Sequence, residues 1–126
     1  MSPYRVLVDS DGKPRLIVAM LSVDKLTKRR RIFIVEKTLP HMWKATPEEI
    51  KHLAHMQISQ KNTLTLAEYV IHKDDMGLKY SISRRNHECG MTHENIANNQ
   101  YTQSDCLVAA MNDYTTQNDI TVIRQL

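Results

Sequence analysis

The stretch KRRRIFIVEKTL, residues 28–39, decides how the rest of the chain is read. Four consecutive cations run straight into Ile32-Phe33-Ile34-Val35. A run of β-branched and aromatic residues without polar alternation fits a strand covered on both faces. The cations before it must stay in water or meet an anionic partner, because an unpaired buried charge is too costly. One short segment thus supplies a central strand and the most electropositive point of the chain.

Upstream, Tyr4, Val6 and Val8 alternate with Arg5, Leu7 and Asp9, the pattern of a strand with one face partly exposed. Asp9-Ser10-Asp11-Gly12 follows, and Asp-Gly favours a hairpin because both residues tolerate positive φ. Residues 16–23 are almost unbroken apolar sequence, a second covered strand, and the polar 24–28 connects it to the opening stretch. The first third of the chain is therefore expected to be a three-stranded antiparallel meander.

Downstream, Pro40 ends the third strand and Thr46-Pro47-Glu48-Glu49 opens a helix. Thr46 is its N-cap, Pro47 suits the first helical position and Glu49 completes a capping box. Ile50, Leu53, Ala54 and Ile58 then share one face. A second capping box at 65–68, with Leu66, Ala67, Val70 and Ile71 at helical spacing, predicts a second helix. Gly77 turns the chain into a strand in which Leu78, Tyr80 and Ile82 alternate with polar residues. Residues 84–103 carry little periodicity and are expected to form a long irregular loop, which in a compact domain tends to be functional. Thr102 or Ser104 caps a third helix with Leu107, Ala110, Met111 and Tyr114 on one face, and 120–123 is a closing strand. The order βββααβαβ predicts a single α+β domain over 1–126. In it the meander is extended by one or two later strands and about three helices pack on one face.

Composition agrees with one globular unit. The chain has 126 residues, 41% of them hydrophobic and 25% charged. A chain of that length buries roughly two thirds of its unfolded surface. The net charge of +3 conceals a split: ten Lys/Arg against four Asp/Glu over 1–45, and seven against ten over 46–126. Such asymmetry suggests a basic face on a mildly acidic body. Two cysteines are too few for a disulfide framework. The start, MSPYRVLVDSDG, lacks an apolar segment behind a basic one, so no signal peptide is expected. The longest apolar run, 16–21, is too short to span a bilayer, and the expected compartment is a reducing cytoplasm with no membrane partner.

Lys25, Lys28, Arg29, Arg30 and Arg31, with Lys37 further along, are the leading functional residues. Arg29 and Arg31 are expected on one side of the strand and Arg30 on the other. Cations so concentrated suit phosphate contacts, whose affinity falls steeply with salt. The competing account is a solvated hairpin end that protects a sheet edge. The meander followed by a helix resembles, in element order and charge alone, the three-stranded sheet-plus-helix DNA-binding domains of some phage integrases.

Other candidates are weaker. His87, Cys89 and His93, with His72 upstream, include a C-x3-H spacing compatible with zinc, but the chain has no C-x-x-C and a fourth ligand must be supposed. Cys89 beside His87 or His93 has the residue types of thiolate catalysis without a surrounding pattern. No glycine-rich phosphate loop exists among three glycines. No catalytic set and no cofactor is therefore expected. The expectation is a non-enzymatic binding protein, a regulator or inhibitor of the kind encoded by phages and mobile elements, whose basic hairpin docks nucleic acid or a nucleoprotein complex. The alternatives are a protein-protein module acting as a homodimer, and a small zinc-binding protein centred on His87, Cys89 and His93.

Overall fold

Ile32, Ile34 and Val35 lie at the middle of a seven-stranded sheet, in the strand that has three neighbours to either side. The computed structural model describes residues 3–10, 13–37, 46, 48, 63–74, 76–86 and 92–126. Strands β1 (Tyr4–Ser10), β2 (Lys13–Val23), β3 (Arg30–Lys37), β4 (Thr63–Lys73), β5 (Tyr80–Asn86) and β6 (Thr92–Gln100) follow one another in sequence. Helix α1 (Gln103–Gln117) and strand β7 (Thr121–Gln125) complete the described chain. The sheet order is β6-β5-β4-β3-β2-β1-β7 and every pairing is antiparallel.

The sheet curls into a half-barrel around α1, which packs across β1 to β6. Alternate residues point inward, as the two-residue strand period requires. Val6 and Val8, Ile17 and Ala19, Ile32 and Ile34, Tyr69 and Ile71, and Ile82 form one cluster with Cys106, Leu107, Ala110, Met111 and Tyr114 of the helix. Leu7, Leu16, Val18 and Val35 form a second cluster on the other side of the sheet. The absence of alternation in 32–35 has this cause: both faces of β3 are covered. Thr102 caps α1 through its hydroxyl, which accepts from the Asp105 N–H at 3.0 Å, while the Asp105 carboxylate accepts from the Thr102 N–H at 3.2 Å.

Four expectations are corrected. The protein is a mostly antiparallel sheet with one helix among the described residues, not an α+β domain with about three helices packed on one face. The N-terminal meander forms, but four further strands extend it rather than one or two. The stretch expected to be the second helix is β4, with Tyr69, Val70 and Ile71 at 0%, 5% and 6% exposure. A strand buried on both faces places apolar residues side by side, and a bulge opposite Ile34/Val35 adds Leu66 to the run. Leu66-Ala67 and Val70-Ile71 then imitate a helical stripe. Of the expected helix over 47–58 only Glu48 is described, in helical conformation, and the rest lies outside the described residues.

Within 84–103, the expected irregular loop, β5 runs to Asn86 and β6 occupies Thr92–Gln100. THENIANNQ hides its strand because it is the polar edge of the sheet, and bulges near Ile82 break its register. Polar edge residues discourage pairing with other chains, which removes the hydrophobic alternation. Among the described residues no helix is long and apolar enough to cross a membrane.

Candidate functional site

Antiparallel succession brings the β2–β3 and β4–β5 turns to the same end of the sheet. Only β3 and β4 separate the outer arms of these hairpins, so the turns are about 10 Å apart from centre to centre. Both turns are organised by an aspartate. The Asp24 carboxylate accepts from the backbone N–H of Leu26 at 2.8 Å and of Thr27 at 3.0 Å. These bonds hold its carboxyl below the ordinary carboxylate range. The Asp74 carboxylate accepts from the Leu78 N–H at 2.9 Å, and Gly77 adopts φ +68° to close that turn. Lys28 takes φ 60°, costly for a residue with a Cβ, and its N–H donates to the Asp24 carbonyl at 2.9 Å.

Cations crown both turns. Lys25, Lys28 and Arg29 are exposed and Arg30 half-buried on the first; Lys73 is exposed and Lys79 half-buried on the second. Among the described residues, no carboxylate lies within ion-pair distance of any of these six. Aromatic rings stand among them. The Lys79 ammonium is 5.6 Å from the centroid of Tyr101, which is 67% exposed, and that of Lys73 is 5.8 Å from Tyr80. Lys73, Lys79 and the two tyrosines are the site residues that sequence reading missed. Reading 65–71 as helix removed the strand pairing that sets the second turn beside the first.

Arg31 departs from the expected site. It starts the β3 face opposite α1, and its Nη1 sits 3.3 Å from Glu68 Oε1. Arg85 Nη1 donates to both oxygens of the same carboxylate at 3.1 Å. One carboxylate on β4 thus holds two guanidinium groups, one on β3 and one on β5. Lys37 ends β3 at its far end, about 20 Å from Arg30 by strand rise, and belongs to no common surface with it.

A cleft of about 460 Å³ opens where β4 and β5 cease to pair, bounded by Glu68, Tyr69, Arg84, Arg85 and the end of α1. Its ionisable groups are matched to one another. The Tyr69 hydroxyl donates to Asp113 Oδ2 at 2.6 Å, Arg84 Nε lies 3.4 Å from the same oxygen, and Arg84 Nη2 lies 3.2 Å from Glu94. Burial, then the Asp113 contact, pushes the Tyr69 phenol far above its ordinary value, so it stays protonated. This network fastens α1 to β4, β5 and β6.

For the zinc reading, His87 and Cys89 lie outside the described residues. His93 is exposed on β6 opposite Arg85, while His72 on β4 opposes Ser81, four places along β5 and two strands across, and so about 16 Å away. No group of three or more His, Cys, Asp or Glu able to hold a metal occurs among the described residues. Cys106 is buried under the sheet, where burial raises its thiol to about 11. No protein-family model, curated protein or solved structure matches the chain.

Proposed function

We propose that the protein is a non-enzymatic nucleic-acid-binding protein that docks through the end of its sheet carrying the β2–β3 and β4–β5 turns. The observation that carries this reading is the union of Lys25, Lys28, Arg29, Arg30, Lys73 and Lys79 on two adjacent turns, unmatched by carboxylates among the described residues. The chain's other arginines near the cleft are internally paired, so the attraction for a polyanion is concentrated at this one end. Hydrogen-bonded turns hold the cations in place, which lowers the ordering cost on docking. A regulator or inhibitor acting on nucleic acid or a nucleoprotein complex fits this design. A cytoplasmic setting suits the unbridged Cys106.

The test is titration of a labelled oligonucleotide between about 50 and 200 mM salt with the Lys28→Ala/Arg29→Ala/Arg30→Ala variant. Loss of three phosphate contacts lowers affinity at low salt and flattens the slope of log K against log salt by about two to three. Equal affinity and slope in the variant would remove the site.

A second reading rests on β7. It is hydrogen-bonded to β1 on one side, and its Val122 and Ile123 are 42% and 50% exposed. Among the described residues no strand pairs with its other edge, and a strand edge with apolar residues is a template for pairing with another copy. Light scattering over a range of concentrations tests it: a mass that doubles in the native chain and not in Ile123→Lys supports the dimer.

A further inference from the structure

The cationic end also carries more exposed hydrocarbon than phosphate contacts need. Val23, Leu26, Met76, Leu78 and Tyr101 are 48%, 93%, 79%, 64% and 67% exposed, and all stand on the two turns or the adjoining β6–α1 junction. Contacts to a duplex backbone come from cations, polar side chains and N–H groups, and such a surface gains nothing from Val, Leu or Met. Unpaired nucleotides are different. Each presents a charged phosphate and a flat, weakly hydrated base face, and proteins hold them with basic grooves interleaved with aromatic rings.

The pairing of groups follows that alternation. Tyr101 and Tyr80 each have a lysine ammonium within 6 Å of the ring, Lys79 and Lys73 respectively. A base laid on Tyr101 therefore has a phosphate-binding cation beside it. Next to these rings is a recess of about 400 Å³ bounded by Asp74, Lys79, Tyr80, Ser81, Asn98 and Asn99. That size lies within the range of sites for small ligands, ~300–1,000 Å³. Asn99 holds φ 61° at the end of β6, a conformation that few side chains tolerate and asparagine adopts most readily. Its carboxamide has no hydrogen-bond partner among the described residues and offers a donor and an acceptor to a base edge.

We propose that this end of the sheet selects single-stranded nucleic acid, stacking an unpaired base on Tyr101, reading a base edge with Asn99, and seating phosphates on Lys79, Lys73 and the β2–β3 cations. The inference rests on the nucleic-acid reading above and narrows it to unpaired strands.

Fluorescence anisotropy with a labelled oligothymidine, a mixed-sequence single strand and a hairpin duplex of matched length tests it, alongside flotation with phosphatidylcholine–phosphatidylserine vesicles. The expected result is single-strand binding about tenfold or more tighter than duplex binding at equal salt. Tyr101→Ala weakens the single strand about 5- to 100-fold, Tyr101→Phe restores it, and duplex binding changes less than about twofold in both. Asn99→Ala weakens the mixed-sequence strand and oligothymidine by different factors, because the edges differ; equal factors, or no change on either, overturn the base-edge role of Asn99. Duplex binding as tight as single-strand binding, or equal losses on both in Tyr101→Ala, overturns the single-strand inference and leaves the nucleic-acid reading standing. Vesicle binding without oligonucleotide binding, or no binding to any probe, overturns both.

Discussion

Glu68 is the residue whose removal best separates structural arginine from binding arginine. Its carboxylate receives Arg85 at 3.1 Å through both oxygens and Arg31 at 3.3 Å, with side-chain exposures of 13%, 19% and 35% for Glu68, Arg85 and Arg31. Breaking a buried pair from one side costs about 3–5 kcal/mol, and an exposed pair contributes about 0–1 kcal/mol. Glu68 and Arg85 lie nearer the first limit and Arg31 nearer the second. Glu68→Gln removes the carboxylate charge that both guanidinium groups face, for a cost of about 2–3 kcal/mol. Arg31→Ala keeps the Glu68–Arg85 pair and costs about 1 kcal/mol.

An unfolding entropy of about 2.1 cal/mol/K per residue turns these into Tm decreases of about 8–11 °C for Glu68→Gln and about 4 °C for Arg31→Ala. Thermal unfolding followed by circular dichroism measures both. Oligonucleotide titration adds the functional half: Arg31→Ala stays within about twofold of the native affinity, whereas Arg29→Ala and Arg30→Ala each lower it and reduce the salt slope by about one. A Tm change below about 2 °C for Glu68→Gln refutes the assignment of a shared carboxylate. A tenfold affinity loss in Arg31→Ala refutes the division between strut and ledge.

Tyr69→Phe leaves Asp113 with Arg84 alone and deletes a 2.6 Å hydrogen bond under α1, so urea denaturation is expected to show a loss of about 1.5–3 kcal/mol. Lys28→Gly relieves a positive φ of 60° and is expected to be neutral or up to about 1 kcal/mol stabilising, while oligonucleotide affinity falls; a destabilised variant would contradict the strain at that turn. Burial raises the Cys106 thiol from 9.0 to about 11, so the fold favours the neutral form. That contribution is whole below about pH 9 and disappears as pH rises through 11, and the buried Tyr69 and Tyr114 phenols, both raised from 10.0, act in the same direction from about pH 10 upward. Urea midpoints measured from neutral to alkaline pH are expected to be flat and then to fall. Cys106→Ala is expected to remove the earliest part of that decline.

What the chain disclosed in linear form follows from which interactions are local. Residues 4–10, 13–23 and 30–37 announce strands because alternation and two-sided apolar runs are written over a few neighbouring positions. Thr102 and Asp105 announce a helix start for the same reason. Strand β4 misled because burial on both faces and one bulged residue reproduce the spacing of a helical stripe. Strand β6 was silent because an edge exposed to water has no apolar period to display.

The site divides along the same line. Lys25 to Arg31 are contiguous, so their charge is visible without a fold, but whether each charge is available depends on residues far away in sequence. Glu68 engages Arg31 only because β4 lies beside β3, in the register that sets Val70 opposite Arg31 and Glu68 opposite Phe33. Lys73, Lys79 and Tyr101 join the turn of β2 and β3 only because each successive strand reverses direction. Net charge at a surface is therefore a property of pairing between strands. Had β4 been a helix, Arg31 would have stayed with the ledge and Lys79 would have had no place beside it.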